Sequence, residues 1–165
     1  MASAFKLLHV ASLIMWLGPT TSAYLLVQRA MKDRARGHPL PRASELWVWR
    51  RFELLLRVEH VAFFVLFGSG LGIVHAWGLD PIAVLTGDPR WLRIKLWLAF
   101  GVILPVELYD IWLSHRELPR LLERLASSEE DLGMALRPHA GFLARGVWVF
   151  GVLMPAFFYL AVFKP

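Results

Sequence analysis

The chain has 165 residues, is 57% hydrophobic, carries a formal net charge of +5 and contains no cysteine. The apolar share exceeds the roughly 45–50% of soluble domains. The missing thiols exclude disulfides, zinc–thiolate sites, iron–sulfur clusters and thioether-attached haem.

Four segments, 5–27, 54–77, 91–113 and 142–163, reach the about 20 mostly apolar residues needed to cross a bilayer. The expected fold is all-α: one integral-membrane domain, 1–165, built as an antiparallel four-helix bundle. The first segment has Lys6 as its only basic leader residue, and its apolar run exceeds the usual ~7–15-residue signal core, so it should remain as the first helix. His9 lies near its start, and Gly18 and Pro19 interrupt it. "GPTTS" at 18–22 offers hydroxyls to a headgroup or quinone, or to its own backbone.

The next stretch carries Arg29, Lys32, Arg34, Arg36, Arg42, Arg50 and Arg51, and the stretch after span three carries Arg116, Arg120, Arg124 and Arg137. The loop between spans two and three offers only Arg90. By the positive-inside rule both basic loops face the cytoplasm and both termini face outward. The basic residues therefore read as a topology signal with affinity for membrane lipid, not as a nucleic-acid surface. His38 in the first basic loop and His139 in the second are expected to be solvated, and Ser44 is placed to cap the helix entering span two.

Span two ends in "GSGLGIVHAW". On a helix Gly68, Gly72 and His75 share a side. Such a glycine face admits either a neighbouring helix, as in small-xxx-small packing, or a flat cofactor. The loop "GLDPIAVLTGDPR" is short and turn-rich, making spans two and three antiparallel neighbours. Span three opens with Arg93 and Lys95 and contains Gly101 and Pro105; span four contains Gly151 and Pro155. Between them, Leu118, Leu121, Leu122 and Leu125 mark an amphipathic helix at the inner surface. Ser128, with Asp131 three residues on, suggests a capping box for a second short helix.

Ionisable residues within spans are costly and are functional candidates. His9, His75 and Lys95 come from three helices at a similar outer depth. Two neutral imidazoles can hold haem iron, and a cation suits the porphyrin carboxylates. The alternative is two boundary histidines bonded to water or carbonyls, with Lys95 snorkelling outward.

A second group lies toward the inner side: Arg57, Glu59 and His60 in span two, Glu107 and Asp110 in span three, Arg145 in span four. It reads as an ion-pair network, a proton relay, a second haem site of His60 with His115, or a metal site of His60 with Glu107 and Asp110. His60 and His75, fifteen positions apart, are about 60° out of alignment, which permits cofactors at two depths.

"KLLHVASLIMW" with His9 and Trp16, "WLRIKLWL" with Lys95, and the closing "AVFKP" resemble the HemJ-type protoporphyrinogen IX oxidases; the related copper-resistance D-type membrane proteins share the first-helix pattern. The resemblance implies a four-helix protein of the bacterial inner membrane that binds haem b, with His9 as haem ligand and Lys95 as its required partner. As an oxidase of this kind the chain would pass electrons from a porphyrinogen through the haem to the quinone pool; the inner carboxylates Glu107 and Asp110, which are not marks of that family, are this chain's own candidates to accept the released protons. Gly68 and Gly72 would line the macrocycle, and His75 and His60 are further candidate iron ligands. The alternatives are a copper- or cation-handling permease component, which the five scattered methionines serve poorly for copper(I), and a non-catalytic subunit of a homo-oligomer or larger membrane complex.

Overall fold

Helix is the only described secondary structure in the computed structural model, which describes residues 2–163, without the side chains of 20, 147–150 and 161–163. Four helices are long and apolar enough to cross a membrane. They are α1 (Ala2–Ala35), α2 (Arg42–Ala76), α4 (Arg90–Ser127) and α5 (Leu132–Phe163), with one short helix, α3 (Pro81–Val84), between α2 and α4. Each expected span falls within one of these, save that α2 stops one residue short, at Ala76. The closing "AVFKP" lies outside the described side chains.

The ends of the first two helices follow from local chemistry. Gly37 (φ +81°) and Gly78 (φ +77°) take the left-handed conformation that closes a helix at little cost for a residue without Cβ. The Gly37 amide donates to the Arg34 carbonyl and the Gly78 amide to that of His75. The start of α2 differs from expectation. It begins at Arg42 behind Pro41, so Ser44 sits inside the first turn and forms no cap. Asp80 caps α3, its carboxylate accepting the Ile82 amide at 2.9 Å.

α4 contains two wider π-helical turns, Ala99–Ile103 and Leu113–Glu117. Each is followed by Leu-Pro: Leu104–Pro105 and Leu118–Pro119. A proline inside a helix lacks its amide and crowds the carbonyl four residues back, here Gly101 or His115. Widening the preceding turn is one way a helix absorbs this. Because the helix continues through Pro119, the amphipathic segment Leu118–Ser127 is the end of α4 itself, not a separate surface helix. Its leucines Leu118, Leu122 and Leu125 are buried in protein. Asp131, not Ser128, accepts the Met134 amide at 2.8 Å, and the helix it caps is the long α5.

Three apolar layers stack along the bundle. At the end bearing the basic loops, Val27, Trp49, Phe52, Leu56, Leu122 and Leu136 unite all four long helices. The middle layer joins Trp16, Phe63, Leu66 and Ile103. At the far end Val74, Val84, Leu92 and Leu96 pack α2, α3 and α4 together. Large apolar side chains such as Leu7, Leu25, Val61 and Val152 point outward and are 61–73% exposed. A bilayer would cover them.

Candidate functional site

At the far end, His9 of α1 packs onto α2. Its Nδ1 lies 2.9 Å from the Leu66 carbonyl oxygen and 3.2 Å from the Ser69 hydroxyl. The carbonyl can only accept, so Nδ1 carries the proton and Nε2 presents the lone pair. Gly70 makes this approach possible: a Cβ there would stand 3.1 Å from His9 Cε1. Lys95 is near enough to His9 for electrostatic interaction, and its Nζ lies 5.9 Å from the Phe157 ring centroid.

The other members of the expected outer site go elsewhere. His75 is exposed at the end of α2, and Gly68 is exposed with open space before it. Gly72 faces α1, where an added Cβ would come within 2.7 Å of the Phe5 ring. Two of the glycines of "GSGLG" thus serve α1–α2 packing, and Gly70, overlooked in the sequence, is the one beside a histidine.

Nearer the basic end, α2 and α4 bring a second set together. His60, 3% exposed, has Nε2 3.0 Å from Asp110 Oδ2 and Nδ1 2.9 Å from His115 Nε2. The tautomers follow from elimination. The Asp110 carboxylate accepts from Nε2–H, so Nδ1 of neutral His60 accepts from Nε2–H of His115. The two imidazoles meet through their nitrogens, leaving no macrocycle's width between them. Ligand atoms of Glu59, His60 and Asp110 lie within 4.8 Å of one another.

Glu107, one helical turn before Asp110, is 2% exposed. It lies beside the Trp16 indole, and its Oε2 has no hydrogen-bond partner among the described residues. Glu59, Glu107 and Asp110 line a cavity of about 360 Å³ walled by Trp16, Tyr24 and Phe142.

The arginines expected to neutralise these acids do not reach them. Arg57 pairs with Glu53 on its own helix, and Arg145 is exposed; neither forms an ion pair with Glu107 or Asp110 among the described residues. The reason is helical phase. Arg57 and Glu53, four apart, share a face, whereas Glu59, two positions on from Arg57, points to the other side of the helix.

His139 also departs from expectation. It lies in α5, not in a solvated loop, and both ring nitrogens are buried without a hydrogen-bond partner among the described residues. It helps line a void of about 10 Å³ with Asp110 and Ser114. The signal for its burial was available: His139 is three and seven positions beyond Leu136 and Leu132, which share a helix face.

Comparison with family models, curated proteins and solved structures finds no match to this chain.

Proposed function

We propose that the chain is a haem b-binding redox protein of a bacterial inner membrane, as the resemblance to HemJ-type oxidases implies, with its basic loops in the cytoplasm and a porphyrinogen as electron donor. The observation that supports this most directly is the His9 Nδ1 hydrogen bond to the Leu66 carbonyl. Metal-bound histidines are commonly held in this way, the second nitrogen fixed by a carbonyl so that the first keeps its lone pair aimed at the metal. The donor set fits the group: His9 would hold the iron through Nε2, and Lys95 would meet a porphyrin carboxylate. Haem supplies one-electron transfer when bound.

The remaining work falls to this chain's own residues. Gly70 keeps room for the His9 ring. Glu107, beside Trp16 and hence about 10 Å along α1 from His9, would serve as the proton acceptor, with Asp110 its neighbour one turn on. The test is a reduced-minus-oxidised visible spectrum of the detergent-purified protein. A haem b spectrum absent from His9→Ala is the expected result. A colourless wild-type protein, after expression with added haem precursor, overturns the reading.

The cavity favours a second reading, a cation-handling permease component. Its lining includes three carboxylates and, among the described residues, no lysine or arginine. Buried intramembrane acids of this kind mark ion pathways. Uptake of cation by proteoliposomes, abolished in Glu107→Gln, is the corresponding test.

A further inference from the structure

We propose that Glu59, His60 and Asp110, with His139 beside them, form a binding site for one divalent transition-metal ion of the zinc, iron(II) or manganese(II) class. The inference deepens the second reading by naming the ion, and stands apart from the haem, whose proposed ligand His9 belongs to another layer of the bundle.

The convergence of donors is the first observation. Ligand atoms from Glu59, His60 and Asp110 fall within 4.8 Å of one another, near enough for small side-chain movements to bring all three onto one ion with bonds of about 2.0–2.2 Å. Glu59 and His60 are 8% and 3% exposed, and Asp110 is 14% exposed. Two carboxylates and an imidazole, with no sulfur, suit borderline divalent ions and disfavour copper(I).

The second observation is independent of that cluster. His139 has both ring nitrogens buried and unpartnered among the described residues, and shares a void of about 10 Å³ with Asp110. A buried imidazole with neither nitrogen bonded is costly, and an ion beside Asp110 would relieve it. Glu107 contributes a further orphan: it is 2% exposed, and its Oε2 lacks a hydrogen-bond partner in the cavity that Glu59 and Asp110 also line. The Glu107 oxygen and the His139 nitrogens are thus buried acceptors on either side of Asp110 that a cation would satisfy.

His115 completes the set by position. Its Nε2 sits 2.9 Å from His60 Nδ1. When His60 Nε2 turns its lone pair to the metal, the ring proton moves to Nδ1 and is donated to His115, whose own proton moves to its Nδ1. Both rings stay neutral and no proton is released. His115 is then the residue that orients the ligand, the arrangement usual for metal-bound histidines.

The experiment is zinc titration by calorimetry of the full chain, purified in detergent and stripped with chelator. One zinc ion per chain is expected, also in His9→Ala, where haem is excluded. Glu59→Gln and Asp110→Asn should each weaken binding at least tenfold. His139→Phe should weaken it too, while leaving the melting temperature of the metal-free protein unchanged or higher, because it removes an unpaired polar group. Wild-type protein that takes up no zinc overturns the proposal. So does unaltered binding in all three variants, which would put the ion elsewhere.

Should the carboxylate variants fail to fold, X-ray absorption of the zinc-loaded wild-type protein decides. A first shell of oxygen with imidazole nitrogen is expected, and one lacking imidazole overturns the site. Zinc bound at this site without uptake by proteoliposomes overturns the permease reading alone.

Discussion

The two ends of this bundle are held by different physics. At the basic end the helices are tied by charge. The Arg34 guanidinium grips the buried Glu45 carboxylate through two bonds of 3.2 and 2.8 Å and reaches Asp131 at 2.9 Å. Arg42 donates to the backbone carbonyls of Leu125, Ser128 and Glu130. Three helices and the α4–α5 connection are thereby fixed by two side chains. At the far end no ion pair occurs among the described residues, and α1 is held to α2 by close approach: Phe5 over Gly72, and His9 over Gly70 onto a carbonyl. A charged clamp at one end and a glycine contact at the other imply different sensitivities to substitution.

The largest effect is expected at the clamp. Arg34→Ala leaves Glu45, 2% exposed, without its counter-ion. Breaking a buried pair from one side costs roughly 3 kcal/mol or more. Thermal unfolding in detergent should show a large drop in melting temperature, and Arg34→Ala with Glu45→Leu together should recover part of it. A single variant as stable as the wild type would mean that the clamp is ornamental and the ends do not differ.

The glycine contact is tested by a matched pair. Gly72→Ala drives a Cβ to within 2.7 Å of the Phe5 ring, whereas Gly68→Ala meets nothing within 4 Å. Forcing an extra methyl into a packed contact costs about 1–3 kcal/mol, so Gly72→Ala should lower stability by about 1 kcal/mol after its gain in helix propensity. Gly68→Ala should be neutral or stabilising by up to about 1 kcal/mol. Equal effects from the two would show that α1 does not lie on this face.

That pair also shows where the sequence was legible. Hydropathy located the four helices because a bilayer demands length and apolarity from each segment regardless of its neighbours. Periodicity placed Gly68, Gly72 and His75 on one side of α2, but it could not say which part of that side meets α1. The choice depends on the rotation of two helices against each other, which is a property of the pair. Gly70, two positions off the expected face, was missed for that reason. The charges failed similarly. Arg57 was near Glu59 in sequence yet satisfied itself four residues back on Glu53, while Arg34 and Glu45 found each other across a helical hairpin. Among candidate site residues, His60, His115, Asp110 and Glu107 were within reach because all are ionisable positions toward the basic ends of two spans joined by a short loop. His139 was missed although its spacing from Leu132 and Leu136 marked a buried face, because the helix starting near Asp131 was expected to be short and separate from span four.

The smallest expected effect is one of pH, at the exposed edge of the clamp. The Asp131 carboxylate accepts the Met134 amide, which chiefly holds its pKa below the ordinary value, and the Arg34 guanidinium adds to this. A carboxyl whose folded pKa is depressed contributes stability that is complete above its unfolded pKa, about 3.9. The contribution is lost as pH falls through the lower folded value. Asp131→Asn keeps an oxygen for the Met134 amide but loses the charge facing Arg34. Wild-type melting temperature should therefore fall more steeply below about pH 4 than that of Asp131→Asn, with the two differing by a constant amount near neutrality. Raised salt should shrink that neutral-pH gap, because the ion pair is solvent-exposed on its Asp131 side. Parallel curves down to the lowest pH would assign the whole role of Asp131 to capping α5, leaving Glu45 as the only acid that the clamp at this end requires.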